Sequence, residues 1–163
     1  MLKKAAFAIA GLLAFQTSAY AKGHWAVEGT VVTSGVVAVD LVRYEKAYEA
    51  GVSFGGKFNN SSSRTSMFSA AVFGGLRYFI APKTVFVYGI SVASLFGRDN
   101  GAKINASYSI APYISVEQYL SEKVLVSVWI DPYQYQYDKK DGVCTSTNRI
   151  FNAGGLGVSY LFD

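Results

Sequence analysis

Between residues 106 and 120 the chain alternates two kinds of side chain with a period of two. The even positions Ala106, Tyr108, Ile110, Pro112, Ile114, Val116, Gln118 and Leu120 are mostly apolar. The odd positions Ser107, Ser109, Ala111, Tyr113, Ser115, Glu117 and Tyr119 are mostly small, polar or charged. Successive side chains of a strand point to opposite faces, so this run is a strand with one greasy face and one polar face. The pattern recurs in residues 85–96, where Phe86, Tyr88, Ile90, Val92 and Phe96 oppose Gly89, Ser91 and Ala93. In residues 68–80, Phe68, Val72, Leu76, Tyr78 and Ile80 oppose Ser69, Gly75 and Arg77. In residues 48–58, Tyr48, Val52, Phe54 and Phe58 oppose Glu49, Ser53 and Lys57. Four segments share one design.

Four more follow it less strictly. Residues 25–33 set Trp25, Val27 and Val31 against Glu28 and Thr30, and Ser34-Gly35 reads as a tight turn into residues 36–44, where Val37, Val39 and Leu41 oppose Asp40. Residues 124–137 alternate Val124, Val126, Val128 and Ile130 against Ser127 and Asp131, then become tyrosine-rich. Residues 149–162 end with Leu156, Val158, Tyr160 and Phe162 opposite Gly155, Gly157 and Ser159. The reading is eight antiparallel strands. Short links at 44–46, 81–84 and 121–123 alternate with longer polar ones at 59–66, 97–105 and 138–148, which puts short and long loops at opposite ends of a meander. The Ser34-Gly35 link belongs to the long-loop end yet is short.

Composition narrows the setting of this sheet. Of 163 residues 51% are hydrophobic and only 16% charged, against roughly 25% charged in ordinary soluble domains. With 15% aromatic residues and 16 Gly against 3 Pro, neither disorder nor a helical bundle fits. The single Cys144 has no intrachain partner for a disulfide. At the N-terminus, Lys3 and Lys4 precede an apolar run over residues 5–15 and the small-x-small site Ala19-Tyr20-Ala21. This is the form of a secretory signal peptide, expected to span residues 1–21 and be cleaved after Ala21. The domain that remains is residues 22–163. The formal charge of +4 includes the two leader lysines, so it does not argue for a nucleic-acid partner.

No stretch beyond the leader is apolar for the length of a membrane helix. A closed sheet is the other structure that crosses lipid, because closure leaves no edge N–H or C=O unpaired. The strands have the roughly 9 to 11 residues needed to cross when tilted, or slightly more. Trp25, Tyr44, Tyr48, Tyr78, Tyr108 and Tyr160 lie toward strand ends, where interfacial girdles belong. Aromatic-rich apolar faces opposite Ser, Gly and Ala suit a lipid-facing exterior around a polar lumen better than a soluble core. The fold expected is all-β: an eight-stranded antiparallel up-and-down transmembrane β-barrel preceded by a cleaved signal peptide.

With these strands and the terminal run Gly155-Leu-Gly-Val-Ser-Tyr-Leu-Phe162, the chain resembles the small eight-stranded outer-membrane proteins of Gram-negative bacteria, of the OmpX/Ail, OmpA transmembrane-domain and opacity type. The resemblance implies residence in the outer membrane. It also implies that Tyr160 and Phe162 form the C-terminal signal read by the barrel-assembly machinery; here Asp163 follows the Phe. The run Arg149-Ile-Phe-Asn-Ala-Gly154 looks like a stretch of the lipid A deacylase PagL in which a His and a Ser two residues apart precede Asn-Ala-Gly. Here those positions hold Arg149 and Phe151, which supply neither base nor nucleophile.

Other chemistry is sparse. His24 is the only histidine and has no second His or Cys nearby in sequence to complete a metal site. Cys144 falls in a polar stretch without a histidine partner. No metal or cofactor is expected. The inward-facing charges are a clearer constellation: Glu28, Asp40, Glu49, Glu117 and Asp131 against Lys57 and Arg77. In a narrow lumen unpaired charge is costly, so Lys57 and Arg77 are expected to pair with carboxylates of neighbouring strands, forming an ion-paired plug. An acid-lined narrow pore favouring cations is the alternative. Arg64, Arg98, Lys103, Lys139 and Lys140 fall in the long-loop segments and are candidates to contact lipopolysaccharide phosphates or an extracellular ligand. The expected role is a monomeric, non-enzymatic barrel with a structural or surface-interaction function. A diffusion pore and a deacylase-like barrel lacking its His/Ser pair are the alternatives.

Overall fold

The computed structural model describes residues 23–59, 65–99, 102–140 and 143–162. The leader and Arg64 lie outside the described residues. Among these residues eight strands form: β1 (His24–Val32), β2 (Val37–Tyr44), β3 (Tyr48–Asn59), β4 (Thr65–Ala81), β5 (Thr84–Asp99), β6 (Ala102–Tyr119), β7 (Val124–Lys140) and β8 (Val143–Phe162). Each pairs antiparallel with the next, and β8 returns to β1 with Val27 opposite Tyr160, which closes the barrel. The alternation read from the sequence is the reason. Val39, Phe54, Val72, Ile90 and Leu156 are exposed on the outside, while Glu28, Asp40, Arg77, Ser115 and Glu117 are buried inside. The barrel is inverted relative to a soluble protein, with its apolar surface outward.

The first hairpin is as short as the sequence suggests. Gly35 takes φ 81, a left-handed conformation open to glycine, and Val32 N–H donates to the Val36 carbonyl at 2.9 Å. In the stretches 97–105 and 138–148, assigned to long loops, the described residues are strand. β5 runs to Asp99 and β6 starts at Ala102; β7 runs to Lys140 and β8 starts at Val143. Cys144 is therefore an exposed strand residue opposite Lys139, with the Tyr137 hydroxyl 3.1 Å from its sulfur.

The row beginning at His24 and Tyr44, the ends of β1 and β2, passes through Glu49, Gly75 and Gly89 to Tyr113 inside β6. This drift is the stagger of tilted strands closing a barrel. It keeps the three short turns level, so differences in strand length appear at the other end. β1 and β2 have 9 and 8 residues, against 17 in β4 and β7, 18 in β6 and 20 in β8. At the usual rise and tilt, strands of the first size climb roughly 20 Å and those of the second roughly 40–50 Å. One side of the wall is low, and β4 to β8 rise well past a hydrocarbon band of about 25 Å.

Stacked aromatics mark the band. Tyr78 and Tyr88 stack at 5.8 Å near the short turns, and Phe68 and Phe96 at 5.9 Å farther up the same strand pair. Within the row described above, Tyr113 lies across the two glycines and its hydroxyl donates to Glu49 Oε1 at 2.8 Å. A Cβ on Gly89 would sit 2.5 Å from the Tyr113 ring and against the backbone carbonyl of Gly74. Gly89→Ala is accordingly expected to lose about 1–3 kcal/mol by overpacking, read as a lower urea midpoint for the folded band on unboiled gels. An unchanged midpoint would mean that the tyrosine has another place to go.

Candidate functional site: a polar plug and the cavity above it

Two hydrogen-bonded knots fill the lumen near the short-turn end. The first is centred on Arg77 of β4. Its Nη2 and Nε both donate to Glu117 Oε2 of β6, at 2.6 and 3.2 Å, and Nη2 also donates to the Tyr119 hydroxyl at 2.9 Å. Nη1 donates to the Glu45 carbonyl at 2.9 Å, and Nε lies 3.8 Å from Glu49 Oε2. The guanidinium rests 4.7 Å above the Tyr44 ring. A planar cation with five donors suits such a crowded setting, because each of its three nitrogens taken from water finds an acceptor.

The second knot is neutral apart from its centre. Glu28 of β1 accepts from the Tyr44 hydroxyl at 3.0 Å, Ser159 Oγ at 2.7 Å and Ser127 Oγ at 2.6 Å. Its neighbours thus come from β2, β8 and β7. Hydrogen bonds from three hydroxyls replace the water a carboxylate loses on burial. Gly157 makes room for it, since a Cβ there would collide with the Glu28 carboxylate. Tyr44 joins the two knots, touching Glu28 with its hydroxyl and Arg77 with its ring.

The residues expected to line the lumen are thus placed as follows. Glu28, Asp40, Glu49, Arg77, Glu117 and Asp131 are buried. Arg77 meets Glu117 two strands away, across the curve of the lumen, and Glu49 on the adjacent strand more loosely. Lys57 departs from the expected carboxylate pairing: it reaches the rim, where Nζ donates to the Ser34 carbonyl of the first hairpin at 2.7 Å. Asp40 accepts from Thr30 Oγ1 at 2.7 Å. Tyr44, placed in the outer girdle on sequence grounds, is 3% exposed and points inward. Tyr113, Tyr119, Phe73 and Trp129 also lie on the inner side, so large rings stand among the Ser, Thr and Ala of the lining.

Above the plug the lumen holds a cavity of ≈ 430 Å³. Its wall combines Ala38, Ala71, Phe73 and Trp129 with Asp40, Glu49, Asp131 and Gln136. Of the basic residues assigned to the loops, Arg98, Lys103 and Lys139 are exposed but stand on β5, β6 and β7, and Arg98 is the cross-strand partner of Lys103. Lys140 ends β7. Arg149 and Phe151, at the deacylase-like positions, form part of an irregular stretch of β8: Arg149 donates to Asn152 at 3.2 Å, and Phe151 has φ 49 and faces solvent or lipid. On the outside of β8, Tyr160 and Phe162 are exposed.

A closed antiparallel ring with an apolar exterior and a hydrogen-bonded polar interior defines a transmembrane β-barrel of eight strands. The structure is similar to that of Neisserial surface protein A, with a TM-score of 0.56 and 13% identity over 86% of this chain and 94% of that one. It is similar also to the N-terminal β-barrel domain of Pseudomonas aeruginosa OprF, with a TM-score of 0.54 and 12% identity over 86% and 96%. At these identities the likeness is one of fold, and the fold is that of the small outer-membrane β-barrels. No protein-family model matches the chain. No curated protein matches it either.

Proposed function

We propose that this protein is a monomeric outer-membrane barrel of a Gram-negative bacterium, released from its leader at Ala21, with a structural and surface-interaction role rather than a catalytic one. The observation that carries this reading is the plug. Arg77, Glu117 and Tyr119 on one side and Tyr44 and Glu28 on the other are tied by direct hydrogen bonds, and the Arg77 guanidinium over the Tyr44 ring joins the two groups across the lumen, which favours a blocked interior over an open passage. Tyr160 and Phe162, exposed on the last strand, suit recognition by the assembly machinery. The functional surface is then the high wall of β4 to β8. Arg98, Lys103 and Lys139 lie there beyond the upper aromatics, in reach of lipopolysaccharide phosphates or an extracellular partner.

Two measurements test this. In planar bilayers the purified barrel is expected to give no unitary current; cation-selective steps sensitive to Glu117→Gln would establish the narrow pore instead. Overproduction is expected to leave lipid A acylation unchanged, since the two deacylase-like positions hold Arg149 and Phe151; newly shortened lipid A would overturn the non-enzymatic reading.

A further inference from the structure

We infer that the lumenal cavity is a binding site for a small amphipathic organic cation, held by Asp40. This goes beyond the structural role and is independent of what the high wall contacts. Three observations meet at one place.

The first is an unsatisfied acceptor. Asp40 is 8% exposed and lines the cavity from β2. Its Oδ2 takes the Thr30 hydroxyl and Ser53 is its cross-strand neighbour, within side-chain reach, while Oδ1 receives no well-formed hydrogen bond among the described residues. A buried carboxylate oxygen without a donor is a costly feature that a ligand N–H would relieve. Glu49 Oε2, also on the cavity wall, lacks a well-formed hydrogen bond and has the long contact with Arg77 and the Glu117 carboxyl as its neighbours.

The second is charge. Six carboxylates line the cavity (Glu28, Asp40, Glu49, Glu117, Asp131 and Asp138), against two basic side chains, Lys57 and Arg149. Arg77 offsets Glu117 from the plug, and Lys57 is engaged by the Ser34 carbonyl at the rim. The interior is left acidic. A bare metal ion is a poor match, since no group of three or more ligating His, Cys, Asp or Glu side chains forms among the described residues. An ammonium asks for less: a few acceptors and aromatic faces suffice.

The third is the shape and polarity of the wall. Phe73 and Tyr113 meet edge to face at 6.3 Å, and Ala38, Ala71 and Trp129 continue an apolar surface above them. A volume near 430 Å³ lies in the range of small-molecule sites, which combine mostly apolar walls with a few aimed polar groups. Access is over the low hairpin: Asp40 stands on β2, close beneath the turn that Gly35 makes. The ammonium end belongs at Asp40 and the apolar end against Phe73 and Trp129.

Trp129 is one of two tryptophans, so Trp25→Phe leaves a single reporter inside the site. The folded barrel carrying that change is titrated with phenethylammonium, with 2-phenylethanol as its neutral counterpart and with sodium chloride. A saturable change in Trp129 emission is expected with the ammonium and not with sodium. Affinity is expected to fall about tenfold or more for the alcohol and for Asp40→Asn, which keeps the Thr30 contact and removes the charge. No saturation with the ammonium overturns the inference. Equal binding of alcohol and ammonium, or of Asp40→Asn and its parent, reduces the site to an apolar hole and overturns it too. The same response to sodium would make it an adventitious ion site only. Gel mobility without boiling verifies that Asp40→Asn folds; if it does not, the ammonium and alcohol comparison on the parent decides alone.

Discussion

Replacing Arg77 by methionine is expected to destabilise the barrel by about 3–5 kcal/mol, the usual cost of stranding the partners of a buried ion pair. The loss has several parts. Glu117 Oε2 loses both of its guanidinium donors, and the Glu45 carbonyl and Tyr119 hydroxyl each lose a hydrogen bond. Glu49 loses its nearest cation. Urea titration of refolding into lipid vesicles, followed by the unboiled gel band, measures the change. The double variant Arg77→Met with Glu117→Met is expected to recover part of it, because the Glu117 charge is no longer stranded while Glu49 still lacks its cation. A single variant within about 1 kcal/mol of the parent would show that water reaches these groups and that the plug is not closed. Arg77→Lys is expected to fall between the two, since an ammonium cannot serve Glu117, Tyr119 and the Glu45 carbonyl with a rigid fork.

The outer face of the barrel was legible in the sequence because lipid demands it of every strand. The inner face was legible only where parity survives. Tyr44 shares its parity with Asp40, so strict counting along β2 places it inside; its position near a strand end pointed to the girdle instead. Tyr113 and Tyr119 share the odd face with Glu117 and read as exceptions to a polar lining, whereas they are buried members of it. The glycines were the available signal: Gly75 and Gly89, in register with Tyr113, are the space into which the ring lies. On β7 the register slips between Asp131 and Tyr133. From Ile130 to Tyr135 the strand also advances five residues against four on β6, a bulge that swaps the faces beyond it, which is how Gln134 and Gln136 reach the cavity. Nothing in a tyrosine-rich run announces that slip. The extended strands at the far end were hidden for another reason. Past the hydrocarbon both faces meet water, so residues such as Lys103 and Lys139 keep the ladder's backbone hydrogen bonds without any alternation of polarity. Sequence gives Lys57 a strand and a face but not a height, and at the rim its acceptor is the Ser34 carbonyl.

Adjacent substitutions on β5 separate an inverted barrel from a soluble one most sharply. Ile90 is 51% exposed on the outer face, between the stacked tyrosines and the stacked phenylalanines, while Ser91 turns to the cavity and donates to the Ala111 carbonyl at 3.3 Å. Ile90→Arg is expected to cost about 2–4 kcal/mol in lipid vesicles, the penalty for a cation on the lipid face near the midplane. Ser91→Arg is expected to cost much less, because the cavity offers room and the carboxylates of Asp131 and Asp40 share its wall. In a soluble barrel or sandwich the order would reverse: arginine at an exposed position is nearly free, and at a buried serine it is ruinous. A tolerated Ile90→Arg beside a disruptive Ser91→Arg would therefore reject the transmembrane reading from one strand. The predicted order would locate the lipid on the aromatic side by energetics alone. It follows from the same asymmetry that makes the plug necessary: charge is excluded from the outside of this wall, so the inside is where charge must be balanced.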